Sequence, residues 1–308
     1  MAITVDGWKG LSMGVFTAVS ILGAWLAVVM KERAKQVYVT SGVLFSAGVL
    51  LAGGFVHLLF DSNEQFEELS IQNFQWAFAI TGITVVLLEC LELALERVID
   101  NKMNHSEPKR KTEASGEDQN SKKDDGDDEE REEQEQDDYV DNEEHDHVHT
   151  IDAAKPLASI LLTVALSIHS ILEGIGIGAT DNVSALQSEF VAVVFHKGFT
   201  AFALGNQLVS SGYWSDKSKR KYFYISIGTF IGVSLLGIGI GWAISYANSG
   251  LTAAIFVGIT SGSFIFVSAL EIIPGEARII KGERLSILPV VFCFIAGYIL
   301  MAMLALWA

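Results

Sequence analysis

The chain has 308 residues, half of them hydrophobic and 19% charged, and its net charge of −16 is unevenly spread. Residues 101–150 hold 19 acidic and 7 basic side chains, so −12 of that charge falls on one sixth of the chain and the remainder is strongly apolar. That distribution excludes a soluble globular domain, a nucleic-acid binder and a collagen-like or wholly disordered chain.

In chain order, Met1–Gly10 carries one basic residue, Lys9, ahead of the first apolar run. This is a poor pattern for a cleaved leader, so the run is expected to stay as a membrane span. Eight runs are long enough to cross a bilayer as helices: roughly Leu11–Met30, Ser41–Phe60, Phe74–Leu95, Pro156–Thr180, Glu189–Ser210, Tyr222–Tyr246, Leu251–Ile273 and Ser286–Trp307. The alternation of a membrane β-barrel is absent. The expected fold is an all-α integral membrane protein of eight transmembrane helices. It divides into helices 1–3 over residues 1–100, a disordered, acidic, His-containing cytosolic loop over 101–153, and helices 4–8 over 154–308.

Orientation follows from the short loops. Lys31, Arg33 and Lys35 follow span 1, Lys217, Lys219, Arg220 and Lys221 follow span 5, and Arg278, Lys281 and Arg284 follow span 7. The loops after spans 2, 4 and 6 have no basic residue, so both termini are expected on the extracytoplasmic side. The sequon Asn182-Val183-Ser184 then lies outside, in a loop too short to be glycosylated, and Asn104-His105-Ser106 lies in the cytosol. Cys90 and Cys293 are too few for a disulfide framework or a four-ligand zinc site and are expected as buried packing residues.

Ionisable residues inside spans are costly, so each marks a candidate site. Span 2 ends with His57 and Asp61, four apart, and Glu64, Glu67 and Glu68 follow. This arrangement suits a funnel drawing cations in from outside. Span 3 carries Glu89, Glu92 and Glu96 on one face near its cytosolic end, and span 7 ends in Glu271-Ile272-Ile273-Pro274-Gly275-Glu276. Glu89 and Glu92 either line an exit path or pair with basic loop residues, Glu271 and Glu276 are candidates for the same exit, and Pro274 is expected to stop its helix. In the loop, His145, His147 and His149 stand among Glu143, Glu144 and Asp146, a pattern suited to labile binding of borderline metals.

The densest group is central. His169 and Glu173 in span 4 share one helix face, with Ser170 beside them as a further candidate ligand. Span 5 adds His196, with Lys197 next to it and Thr200 one turn on. Two imidazoles and a carboxylate are ligands that Zn²⁺ accepts, with water completing the shell. A buried ammonium at Lys197 would repel a second ion and pair with spare acid, acting as a substitute for a second metal.

These residues resemble the ZIP (Zrt/Irt-like) family of divalent-metal transporters over the whole chain. His169-Ser170-x-x-Glu173-Gly174 is similar to the family's span-4 signature, and Phe195-His196-Lys197 to a Lys-containing form of its span-5 signature. Gly54-Phe55-x-His57-x-x-x-Asp61 is similar to the span-2 pattern of plant and fungal members, with Phe60 where a proline is usual. Ser261 through Glu276 is similar to the span-7 pattern. Many members hold two metals, with an acid where Lys197 stands and a glutamate where Thr200 stands, so the resemblance implies a mononuclear site here. It also implies a homodimer, a rocking or elevator motion of spans 1, 4, 5 and 6 against the rest, and uptake toward the cytosol.

The expected function is therefore zinc uptake, with iron, manganese or cadmium (Fe²⁺, Mn²⁺, Cd²⁺) as alternative cargo and zinc as substrate rather than cofactor. No Met or Cys cluster points to Cu⁺. The expected partners are divalent ions and lipid, and the expected location is the plasma membrane, with an intracellular vesicle membrane as the alternative. A reading from another class, an intramembrane zinc hydrolase, lacks its His-Glu-x-x-His signal. It would also have no use for polar residues running from one membrane face to the other, so the chain is not expected to be an enzyme.

Overall fold

A computed structural model describes residues 3–71, 73–106, 159–245 and 250–306. Eight long helices fill these segments: α1 (Val5–Arg33), α2 (Gln36–Glu68), α3 (Trp76–Ser106), α4 (Ser159–Ala179), α5 (Val183–Ser210), α6 (Arg220–Ser245), α7 (Gly250–Gly282) and α8 (Ile287–Ala305). Seven are long and apolar enough to cross a membrane; α5 is the exception. Its 28 residues suffice, at about 1.5 Å each, and its apolar character is interrupted by Glu189, His196 and Lys197. Multiple apolar spans make this a multi-pass integral membrane protein.

Several helices begin earlier than their apolar runs, because capping residues set the start. Thr4 accepts a hydrogen bond from the Gly7 backbone at 3.2 Å and opens α1. Asn182 accepts from Ser184 and Ala185 at 2.8 and 3.3 Å and opens α5. The Asn182 sequon residue is thus a helix cap, and Glu189, expected at the edge of span 5, stands inside its helix. At the other end of the first segment, α3 continues to Ser106, so residues 101–106, expected in the loop, are helical. The rest of that loop, with Glu143, Glu144, His145, Asp146, His147 and His149, lies outside the described residues.

Pro274 does not stop α7, contrary to expectation. The helix passes through a wider π segment, Val267–Ile272, and continues to Gly282. The proline has no N–H to give to the preceding turn, and a segment of wider pitch relaxes that register. A matching π segment in α2, Gly53–Leu58, contains His57 and ends three residues before Asp61.

The helices form two groups of four. In one, α1 packs along α5, and α4 packs on α6. In the other, α2 packs along α8, and α3 on α7, where Thr81 donates to the Gly258 carbonyl at 3.1 Å. The interior holds buried polar side chains beside its apolar ones, while the outer surface of the helices is apolar. Ser12, Ser46, Thr200, Thr260 and Ser268 each donate to a carbonyl in the preceding turn of their own helix, which satisfies them without water. Phe78, Ile83 and Leu87 of α3 and Leu288, Phe292 and Met303 of α8 are exposed, as lipid-facing residues must be. Cys90 is exposed too and Cys293 only half-buried. The expected burial of both fails because an apolar residue in a membrane helix is as well placed against lipid as inside.

Without a hydrophobic drive between helices in lipid, close backbone approach supplies the packing. At the α4–α6 contact, Gly174 and Gly178 face Gly237 and Gly241, and a Cβ at any of the four would collide with a carbonyl of the opposite helix. Gly178→Ala or Gly241→Ala should therefore cost about 1–3 kcal/mol, read as a lower melting midpoint of the purified protein. Gly239→Ala, whose added methyl meets nothing, should stay within about 0.5 kcal/mol. Equal midpoints for all three would show that the helices part without loss.

Candidate metal centre

The single turn between His169 and Glu173 on α4 aims both side chains at α5, where His196 meets them. One ligand atom from each of the three lies within 4.8 Å of the other two, and all three residues are buried. Among the described residues this is the only such group. Glu173 Oε1 is 3.7 Å from His169 Nε2 and is hydrogen-bonded to His196 Nε2.

The tautomer of His169 follows from its other nitrogen. Ser263 of α7 donates its hydroxyl to the Thr260 carbonyl at 2.7 Å, so it accepts at 2.9 Å from His169 Nδ1–H. Nε2 is then left with its lone pair and has no hydrogen-bond partner. Phe264 stacks on the His169 ring at 4.0 Å and meets the His196 ring edge-on at 4.7 Å. A serine and a phenylalanine of α7 thus hold both imidazoles in place.

Lys197 is fully buried. Its Nζ donates to Glu173 Oε2 at 2.6 Å and to Ser170 Oγ at 3.0 Å and lies 4.7 Å from the Phe230 ring centre. Ser170 is therefore engaged by the ammonium and does not face the space between the three ligands. Thr200 donates its hydroxyl to the His196 carbonyl at 2.9 Å, so it too is turned away.

From the central group a cleft runs to His57 and Asp61, lined by Glu173, His196, Glu189 and Thr260 among others. His57 and Asp61 thus share one continuous space with the central ligands. Sequence reasoning missed Glu189 and Thr260 as members of this surrounding, and it placed Ser263 in the span-7 pattern without giving it a role. Glu189 was discoverable: it stands seven residues before His196, two helical turns along the same face.

The acidic residues of the other end stand in different places. Glu92 and Glu271 line one crevice between α3, α4 and α7. Glu276 is buried elsewhere, against Thr40 of α2. Glu89 is half-buried on α3 and outside the crevice lining. Of the four, Glu92 and Glu271 share one crevice, while Glu89 and Glu276 stand outside it.

Eight membrane-length helices around a dry cluster of two imidazoles and a carboxylate define a polytopic membrane protein with metal-type ligands at its centre. The family model for ZIP zinc transporters matches residues 6–305, and the chain belongs to that family. It is 33% identical to zinc transporter ZIP2 of Homo sapiens over 171 residues, 54% of this chain and 52% of the relative. It is 26% identical to zinc transporter 3 of Arabidopsis thaliana over 271 residues, 86% of this chain and 73% of that one. Protein zntC of Dictyostelium discoideum is 37% identical over 149 residues, 47% of this chain and 35% of the relative. The chain thus spans about half the length of the human relative it matches.

The Lys197–Glu173 pair generates a stability prediction. Lys197→Ala strands a buried carboxylate, a change that typically costs about 3–5 kcal/mol. In chelator, the variant should melt well below wild type, and saturating zinc should narrow the gap by binding only the folded state. Equal midpoints in chelator would mean that the pair contributes nothing to the metal-free protein.

Proposed function

We propose that this protein moves a divalent cation, zinc foremost, across the membrane into the cytosol, and that one ion at a time is held by His169, Glu173 and His196. The observation that carries this reading is the buried three-ligand group with His169 Nε2 unpartnered beside Glu173. Its 3.7 Å separation from Glu173 Oε1 is close to the roughly 3.4 Å between two ligands of a tetrahedral zinc ion with ~2.05 Å bonds. Small closure would therefore complete the coordination. A neutral His196 would bind the ion through Nε2 only after its ring proton moves to Nδ1, which has no hydrogen-bond partner; loading then changes the tautomer of the ring and releases no proton.

Lys197 is the substitute for a second ion in this reading. Its charge sits on Glu173 Oε2, where a second cation would otherwise bind. Glu173 is then a one-oxygen ligand through Oε1, and the site is mononuclear. Basic loops after the odd-numbered helices support termini on the outer side and a plasma-membrane protein loading at the His57 end. The family resemblance further supports a homodimer, to be checked by cross-linking in native membranes. It also supports carrier action without catalysis, and the same ligands would admit Fe²⁺, Mn²⁺ or Cd²⁺ less favourably than zinc.

The test is radioactive zinc uptake into vesicles holding the purified protein. His169→Ala, Glu173→Ala or His196→Ala should each abolish saturable uptake while the protein stays in the membrane. Normal uptake by both His169→Ala and His196→Ala would overturn the site. Replacing His145, His147 and His149 together should leave the maximal rate largely intact; complete loss would place the loop in the path. Lys197→Glu should raise the intramembrane zinc count from one toward two and shift preference toward harder ions such as Mn²⁺. An unchanged count and an unchanged preference would show that Lys197 does not fill a metal position.

A further inference from the structure

Glu189 is an acid that the central site does not use. It stands two turns outward of His196 on α5 and lines the same cleft as His57 and Asp61. Its carboxylate oxygens accept from the Thr180 hydroxyl at 3.0 and 2.9 Å, which fixes it at the junction of α4 and α5. It is near enough to interact electrostatically with both His57 and Asp61 across the cleft, and with Lys9 behind it.

His57 supplies the second, independent observation. Its ring is 6% exposed, and its Nδ1 is 3.0 Å from Asp61 Oδ2. Asp61 thus stands beside Nδ1 and leaves Nε2 as the ring nitrogen that does not face this carboxylate. This is the arrangement in which a carboxylate orients a metal-binding imidazole. A buried imidazole flanked by a carboxylate thus lines the same cleft as a second carboxylate held by a hydroxyl.

We infer that His57 and Glu189 form a second, outer binding site for a divalent borderline cation, with Asp61 as the positioning residue for His57. It rests on the transport reading above, and goes beyond it by adding a capture step on a residue of α5. The three side chains do not close into a compact three-ligand group as the central ones do. The ion therefore keeps part of its water shell and is held weakly, as a step that precedes the central site requires. Because His57 belongs to α2 and Glu189 to α5, the captured ion bridges the two groups of four helices at the mouth of the cleft. Lys9, itself buried and paired with Asp181 at 3.4 Å, gives Glu189 a neighbouring positive charge when the ion has moved on.

The experiment uses the full chain with His169→Ala and His196→Ala together, so that the central site is disabled and loop binding is common to every sample. Bound zinc is counted by equilibrium dialysis with and without Glu189→Gln. The expected result is one ion fewer in the Glu189→Gln protein. Asp61→Asn should weaken that same ion's affinity by about tenfold or more. On the otherwise unmodified chain, Glu189→Gln should raise KM for zinc uptake by about fivefold, with a maximal rate within about twofold, as loss of a capture contact predicts. An equal count with and without Glu189→Gln overturns the outer site. Failure of the transport reading would look different: uptake would survive His169→Ala and His196→Ala, whatever the Glu189 count.

Discussion

One buried carboxylate organises the centre of this protein. Glu173 has two oxygens with two different tasks. Oε2 is bound to the Lys197 ammonium at 2.6 Å, and Oε1 faces the two imidazoles. In a dry interior an unpaired charge costs several kcal/mol, so the lysine lets the carboxylate remain ionised when no metal is present. In the proposed reading an ion that enters would therefore find a ready anion and would not have to create one. In the proposed reading the same lysine would confine an ion to one side of the carboxylate, because any cation near Oε2 would meet the ammonium in a low dielectric.

The ligands and their supports come from different helices. His169, Glu173, His196 and Lys197 all project from α4 and α5. Ser263 and Phe264, which fix the imidazoles, project from α7, and His57 and Asp61 from α2. The ligand set thus belongs to one group of four helices, and the wall against which it rests belongs to the other. The glycine contact of α4 with α6 and the close approach of α1 to α5 at Gly23 and Gly198 make the ligand-bearing group tight. Relative displacement of the groups would leave the three ligands in mutual register while removing Ser263 from His169. Such a displacement would change the hydrogen bonding of Nε2's own ring without rebuilding the site.

The apolar runs and the three central ligands were legible from the sequence because both depend on local rules. A bilayer demands about 20 apolar residues, and one helical turn puts His169 and Glu173 side by side. The continuation of α7 past Pro274 was not legible, since a π segment has no composition of its own and depends on neighbours that hold it. Which of the four acids toward the cytosol come together was not legible for a related reason. Periodicity gives the face of a helix but not which other helix that face meets, so Glu92 and Glu271 converge while Glu276 turns to Thr40. The burial expected of Cys90 came from a soluble-protein habit that a lipid solvent reverses. Glu189 escaped notice because an apolar-run boundary was placed on it, although Asn182 caps the helix well before it.

The same polar residues account for how the bundle is packed. A helix carrying Glu189, His196 and Lys197 is poorly suited to lipid, where a charged side chain at the helix centre costs about 2.5–3.5 kcal/mol even on the mildest scale. Helix α5 must therefore be enclosed, and what encloses it must come close enough to leave no gap. That requirement explains the small residues along α1: Gly23 sits against the Gly198 carbonyl, and Ala24 and Ala27 against Gly205. A larger residue at Gly23 would push α1 away from the turn that follows Lys197 and open the dry site to solvent. The burden of facing lipid passes to α3 and α8, which bury little of their surface and keep their ionisable residues out of the apolar middle or carry none. The cost of a functional charge on one helix is thus met by the composition of its neighbours, and the arrangement of all eight follows from where those charges had to stand.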